Sequence, residues 1–253
     1  MEQSLTVTAS DGAVAELVVY PDLDALVVGA AETIARDAAH AIAERGRFSI
    51  ALSGGNTPKP VYARLAGLKG VDWSRVVVVF GDERCVPPDD PQSNFHMARA
   101  ALLDHAPIPP ENVHRMRGED DPRRAAAAYA EELTKALGEG WRLDLALQGL
   151  GDNGHTASLF PGLAAIEETS RPVVAAYVEV VGMWRLTLTP PAINAARKVA
   201  FLVSGPGKAD VLARVLQGPY DPTVLPSQIV RPKDSRALWL VDAAAAAKLQ
   251  ATS

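Results

Sequence analysis

Val76-Val77-Val78-Val79-Phe80 contains no polar residue and stops abruptly at Gly81-Asp82-Glu83-Arg84. A strand with one wet face alternates apolar and polar residues, whereas a short β-branched run that is apolar throughout has to be covered on both faces. The segment is therefore read as a central strand with helices above and below it. A second apolar run, Phe48-Ser49-Ile50-Ala51-Leu52, leads into the turn Ser53-Gly54-Gly55-Asn56-Thr57 and then into a helix opened by Pro58 and running to about Leu68.

The same unit of strand, turn and helix recurs along the chain. Val14 to Tyr20 precedes a helix over 22–45, with Asp22 as N-cap and Gly46 as its stop. After a proline-rich loop, Val86 to Ser93, a helix is expected near Asn94–Leu103, and Pro107, Pro109 and Pro110 forbid its continuation. Asp121-Pro122 starts a helix to about Leu137, followed by the strand Leu143–Leu147. Val173–Val178 and Trp184–Leu188 read as strands of a hairpin, before a helix from Pro190-Pro191. Val199–Val203, a turn at Ser204-Gly205-Pro206-Gly207-Lys208 and a helix over Ala209–Leu216 come next. Ala237–Val241 and the alanines 243–247 close the chain. Such repetition implies an α/β, Rossmann-like fold, a mostly parallel sheet with helices on both faces, in one domain over residues 1–253.

Composition narrows the function. A net charge of −5 argues against a nucleic-acid surface, which needs a basic face, but leaves room for a small anion held by a few local positive groups. No apolar window approaches the roughly 18 residues that span a bilayer, and Met1 to Val7 lacks the form of a signal peptide. With a single cysteine, Cys85, no internal disulfide can form, and a cytoplasmic address is expected. Monomer and homodimer are both left open.

In a parallel sheet, ligands bind beyond the C-terminal strand ends. Four segments there carry polar groups: Ser53–Thr57, Asp82–Arg84, Asn153–His155 and Ser204–Lys208. In the first, Gly54 and Gly55 expose backbone N–H groups, Ser53 and Thr57 add hydroxyls, and the following helix points its positive end at the same spot, an arrangement suited to phosphate. It is not a nucleotide P-loop, because G-x-x-x-x-G-K-[ST] is absent. Asp82 and Arg84 share a side if the backbone stays extended; one could accept from hydroxyls and the other pair with an oxyanion. Lys208 suits a second phosphate partner. His155, on the glycine-rich turn Gly149-Leu150-Gly151-Asp152-Asn153-Gly154, can exchange a proton near neutral pH. That turn spells G-x-G-x-x-G, yet Pro161 interrupts the helix a dinucleotide site requires. The other histidines show no metal-binding spacing, and no metal or cofactor is expected.

These motifs resemble those of the glucosamine-6-phosphate isomerase and 6-phosphogluconolactonase family. The matching elements are Leu52 to Pro58, Gly81 to Pro87 with Ser93-Asn94, Gly149 to Gly151 leading to Gly154 to Pro161, and Ser204-Gly205 with Lys208, in the family's order. The resemblance implies the fold of the sugar-phosphate isomerases and lactonases. It also implies hydrolysis of 6-phospho-D-glucono-1,5-lactone to 6-phosphogluconate in the oxidative pentose phosphate pathway. By that resemblance His155 is the general base that activates water. Asp82 orients sugar hydroxyls or the water, and the Ser53–Thr57 loop, Arg84 and Lys208 hold the 6-phosphate. The family usually has aspartate two places before the histidine; this chain has Asn153, with Asp152 one place earlier. Amino-sugar-phosphate deaminases typically place a glutamate five residues after the histidine, where this chain has Phe160. A non-catalytic sugar-phosphate sensor is the alternative from another class, and it would normally carry a DNA-binding module.

Overall fold

The structure, a computed structural model, describes residues 2–8 and 11–250. A seven-stranded sheet runs in the order β1 (Gln3–Thr8), β2 (Val14–Tyr20), β10 (Leu238–Asp242), β9 (Lys198–Val203), β6 (Leu145–Gln148), β3 (Phe48–Leu52) and β4 (Val76–Phe80). From β2 to β4 every neighbouring pair is parallel, and only β1 runs antiparallel at the edge. All residues of β3 and β10 are buried, so both faces of the sheet are covered. The isolated bridge between Val78 and Val113 and the His114 N–H to the Val78 carbonyl, 2.8 Å, protect the outer side of β4.

The helices obey local rules. In α1 (Leu23–Arg45), Leu26, Ala30, Ala31, Ile34, Ala38 and Ala41 recur at helical spacing and are buried. The Asp22 carboxylate accepts from the Ala25 N–H at 2.8 Å, and Gly46 ends the helix in the left-handed region at φ 76°. Helix α2 (Pro58–Ala66) packs on α1. Helix α3 (Asn94–Ala98) continues as a π-helical turn over Arg99–Leu103. In α4 (Pro122–Leu137), capped by Asp121, Tyr129 is buried and its hydroxyl accepts from the Phe80 N–H while donating to the His114 carbonyl. Helices α5 (Pro190–Asn194), α6 (Ala209–Gln217) and α7 (Ala243–Ala246) complete the cover. Among the described residues no helix is long and apolar enough to cross a membrane.

A second, three-stranded antiparallel sheet has the order β5 (Asp82–Arg84), β8 (Met183–Leu188) and β7 (Val173–Val178), with α4 packed against β7 and β8. Two expectations are corrected here. The first strand is β1, not Val14–Tyr20: Leu5 and Val7 alternate with polar neighbours, but with only Val7 buried this short edge strand offers two apolar positions to reveal it. Asp82–Arg84 is a strand and not a loop; three charged residues carry no β signal, and their backbone is held extended by pairing with Thr187, Leu186 and Arg185.

Candidate active site

The C-terminal ends of β9, β6, β3 and β4 lie side by side on one rim, and the small sheet stands over it as a wall. Chain direction decides which side chains of β5 face the rim. Asp82 and Arg84 point the same way, as do their register partners Thr187 and Arg185, while Glu83 points to the other side. There the Glu83 carboxylate, 2% exposed, accepts from the N–H groups of Arg84, Asn94 and Phe95 and from the Ser93 hydroxyl. Burial pushes its carboxyl above the usual range in spite of these donors. This anchor holds the start of α3, and with it Asn94, against the site.

Asp82 itself is 6% exposed. The Asn94 amide donates to its Oδ1 at 2.9 Å and to its backbone carbonyl at 2.9 Å, and the Ser158 hydroxyl donates to its Oδ2 at 2.7 Å. Two donors leave a carboxylate with lone pairs to spare for a substrate hydroxyl or water. Gly54 permits the arrangement, since a Cβ there would lie 1.9 Å from Asn94 Oδ1.

His155 lies on the turn after β6, which is closed by the Gly151 N–H to the His155 carbonyl at 2.8 Å. Its Nδ1 lies 2.6 Å from Asn153 Oδ1. A carboxamide oxygen only accepts, so Nδ1 carries the hydrogen and Nε2 keeps its lone pair. The imidazole stacks on Phe160 with centroids 3.9 Å apart and planes 16° from parallel. Half-buried there, the ring is pushed down to about 4, chiefly by burial; the nearby Asp82 charge opposes the shift, and Lys208 and Arg185 add to it. Asp152 is exposed and pairs with Lys208, so Asn153 and not Asp152 occupies the position beside the ring nitrogen.

On the β3 and β9 side, Thr57 does not cap α2; its hydroxyl is 2.7 Å from the Ser204 hydroxyl, joining the two loops. The Ser53 N–H and carbonyl are both bonded to the buried Tyr62 hydroxyl at 2.9 Å, while Ser53 Oγ is buried without a partner. Gly55 takes φ 114°, turning the chain into the N-terminus of α2. Both carboxylate oxygens of Asp242 hold the Gly205 N–H, fixing the turn that carries Lys208. Arg84 lies across the site on the small sheet, its Nη1 donating to the Gln92 carbonyl.

Sequence reasoning singled out neither Asn94 nor Arg185 as a site residue, and it assigned Ser158 and Phe160 no contact. Asn94, Ser158 and Phe160 lie inside motifs quoted for the resemblance. Only the alternation Arg185-Leu186-Thr187, a charged residue on one face of an otherwise apolar strand, was there to point to Arg185.

The family described as glucosamine-6-phosphate isomerases/6-phosphogluconolactonase matches residues 21–239. The chain is 43% identical over 236 residues to a protein of Nostoc sp. named 6-phosphogluconolactonase, covering 91% of this chain and 97% of that one. It is 39% identical over 241 residues to the 6-phosphogluconolactonase of Mycobacterium tuberculosis, covering 91% and 97%. The crystal structure of 6-phosphogluconolactonase from Thermotoga maritima superposes with a TM-score of 0.79 at 31% identity, covering 89% of this chain and 98% of that one. With these matches spanning both sheets and the rim between them, the chain belongs to the glucosamine-6-phosphate isomerase/6-phosphogluconolactonase family.

Proposed function

We infer that the site hydrolyses 6-phospho-D-glucono-1,5-lactone to 6-phosphogluconate, the lactone-opening step of the oxidative pentose phosphate pathway. The observation that carries this reading is the environment of His155: one face lies on the Phe160 ring, and Nδ1 is bound to a neutral amide. Such an imidazole is neutral at pH 7 and offers Nε2 as a base toward water. An ester needs no more than that, a positioned water and a stabilised oxyanion. Phe160 also stands five residues after His155, where a resemblance to the amino-sugar-phosphate deaminases would imply a glutamate.

The C6 phosphate is assigned to Ser53, Gly54, Gly55 and Thr57 at the N-terminus of α2, to Lys208, and to Arg84 from the facing wall. Anchoring this remote group holds the lactone carbonyl against His155, converting an encounter with water into a step within the complex. Asp82, with lone pairs unspent, orients a sugar hydroxyl or the attacking water. The proposed address is cytoplasmic, on the ground that the only cysteine, Cys85, cannot form an internal disulfide.

The test is a paired assay. Lactone disappearance above its spontaneous rate, with no ammonia released from glucosamine 6-phosphate, is the expected result; the reverse pattern overturns the reading. The pH dependence is a second expected outcome. Because the base works unprotonated and its pKa is depressed, kcat/KM stays flat through neutrality and falls only as the pH drops toward about 4. Asn153→Asp places a negative charge beside Nδ1, favours imidazolium and moves that acid limb upward by about one pH unit or more. An unshifted limb in this variant would show that the amide does not set the basicity of the ring.

A further inference from the structure

Arg185 stands on the wall that faces the rim, its side chain 12% exposed. Its Nη1 stands 4.0 Å from Asp82 Oδ2, outside hydrogen-bond range, and its Nε is buried without a partner. Among the described residues its guanidinium donates no hydrogen bond. Directly opposite in the register stands Arg84, a second guanidinium with a buried, unpartnered Nε. Like charges at register partners repel, and a desolvated cation with idle donors is costly unless an anion completes it. With Asp82 as the ion-pair partner of Arg185 at 4.0 Å and the Nε donors of Arg185 and Arg84 unspent, the wall has donors left for a negatively charged group of the ligand.

The ligand offers two such groups in different places. The phosphate is already provided for by the β3 and β9 loops, where α2, Thr57 and Lys208 gather. Arg185 lies on the other side, against Asp82, and its charge is felt at His155. In the lactonase reading the carbonyl under attack stands at the base, on the side of the site that Asp82 and Arg185 share.

Building on the lactonase reading above, we propose that Arg185 is a catalytic residue that donates to the oxyanion formed on the lactone carbonyl oxygen. The water oxygen bonds to C1 as His155 Nε2 takes one of its protons, and the carbonyl π pair moves onto the oxygen that Arg185 holds. That pair then re-forms the carbonyl as the bond from C1 to the ring oxygen breaks. The imidazolium returns its proton to the ring oxygen, and the new carboxyl group ionises beside the same guanidinium.

The experiment compares wild type, Arg185→Gln and Arg185→Lys in lactone hydrolysis with the spontaneous rate subtracted, together with thermal unfolding and inhibition by inorganic phosphate. Arg185→Gln is expected to lower kcat by ~10²–10³-fold, as loss of an oxyanion donor does elsewhere. Arg185→Lys, which keeps the charge but loses the planar fork, is expected to lower kcat by ~10-fold. KM and the phosphate inhibition constant should move by less than about threefold in both, since the phosphate contacts are untouched. An unchanged kcat with raised KM and weakened phosphate inhibition would overturn the proposal and move Arg185 to the phosphate. Should Arg185→Gln fail to fold, a wild-type kcat in Arg185→Lys overturns it equally. A wild type with no rate above background would sink the lactonase reading itself, whereas an active wild type and an active Arg185→Gln would sink only the role of Arg185.

Discussion

His155→Ala is expected to lose the lactone-opening rate above background by ~10²–10⁴-fold, the usual contribution of a positioned general base. KM should change little, because the groups assigned to the phosphate lie on other loops. The fold should survive, since the turn is held by bonds to its backbone that the substitution leaves in place, such as the Ser227 N–H and hydroxyl to the Gly154 carbonyl, both at 2.8 Å. Initial rates over a range of lactone concentration, with unfolding temperature measured alongside, decide the matter. A variant that is folded and as fast as wild type would remove His155 from the chemistry.

Gly151→Ala should do nearly as much damage without touching any group that reacts. Gly151 is outside the left-handed region, so its own backbone admits a side chain. What stands in the way is the imidazole: a Cβ there would lie 1.9 Å from Nδ1 and 2.0 Å from Cε1 of His155. The ring would have to leave its stack on Phe160 and its bond to Asn153. A displacement of about 1 Å at a reacting group can cost 10²-fold, so kcat is expected to fall by ~10²-fold or more, with unfolding close to that of wild type. Full activity in this variant would mean that the position of the ring is not what sets the rate. Gly154→Ala makes a poorer probe, because Gly154 has φ 79° and a Cβ there would meet Leu225 at 2.6 Å, mixing strain and a core clash into the result.

Much of the fold was legible because it rests on local rules. The apolar run Val76–Phe80 is β4 to the residue, Val173–Val178 is β7, and Asp22 and Gly46 bound α1 as a carboxylate cap and a left-handed stop should. The hairpin of β7 and β8 was legible from two apolar runs with a short connection. The failures have one cause. β1 is an exposed edge strand and β5 is three charged residues, and each is a strand only because a neighbour supplies the ladder. The helix expected over Asn94–Leu103 divides into an α-helix and a π turn, a change of hydrogen-bond spacing that the side-chain pattern does not announce.

The site divides in the same way. The positions of His155, Thr57 and Lys208 follow from the sequence alone, because a glycine turn after a parallel strand always opens on the same rim. The environments of those residues do not. Asn153 rather than Asp152 binds the ring nitrogen because the closed turn sends Asp152 outward to Lys208. Ser158 reaches Asp82 across 76 residues of chain, and Arg185 faces the rim because β8 pairs with β5 in one register and not in the next. A shift of one residue in that ladder would turn Arg185 to the face of Glu83, away from Asp82. By itself the sequence determined the strands and helices that carry their own pattern, and which chemical groups stand at their ends, since both depend on neighbours along the chain. Only the tertiary structure decided which of those groups are buried, which share a face and which donors are left without a hydrogen bond, since these depend on register and packing between segments far apart in the chain.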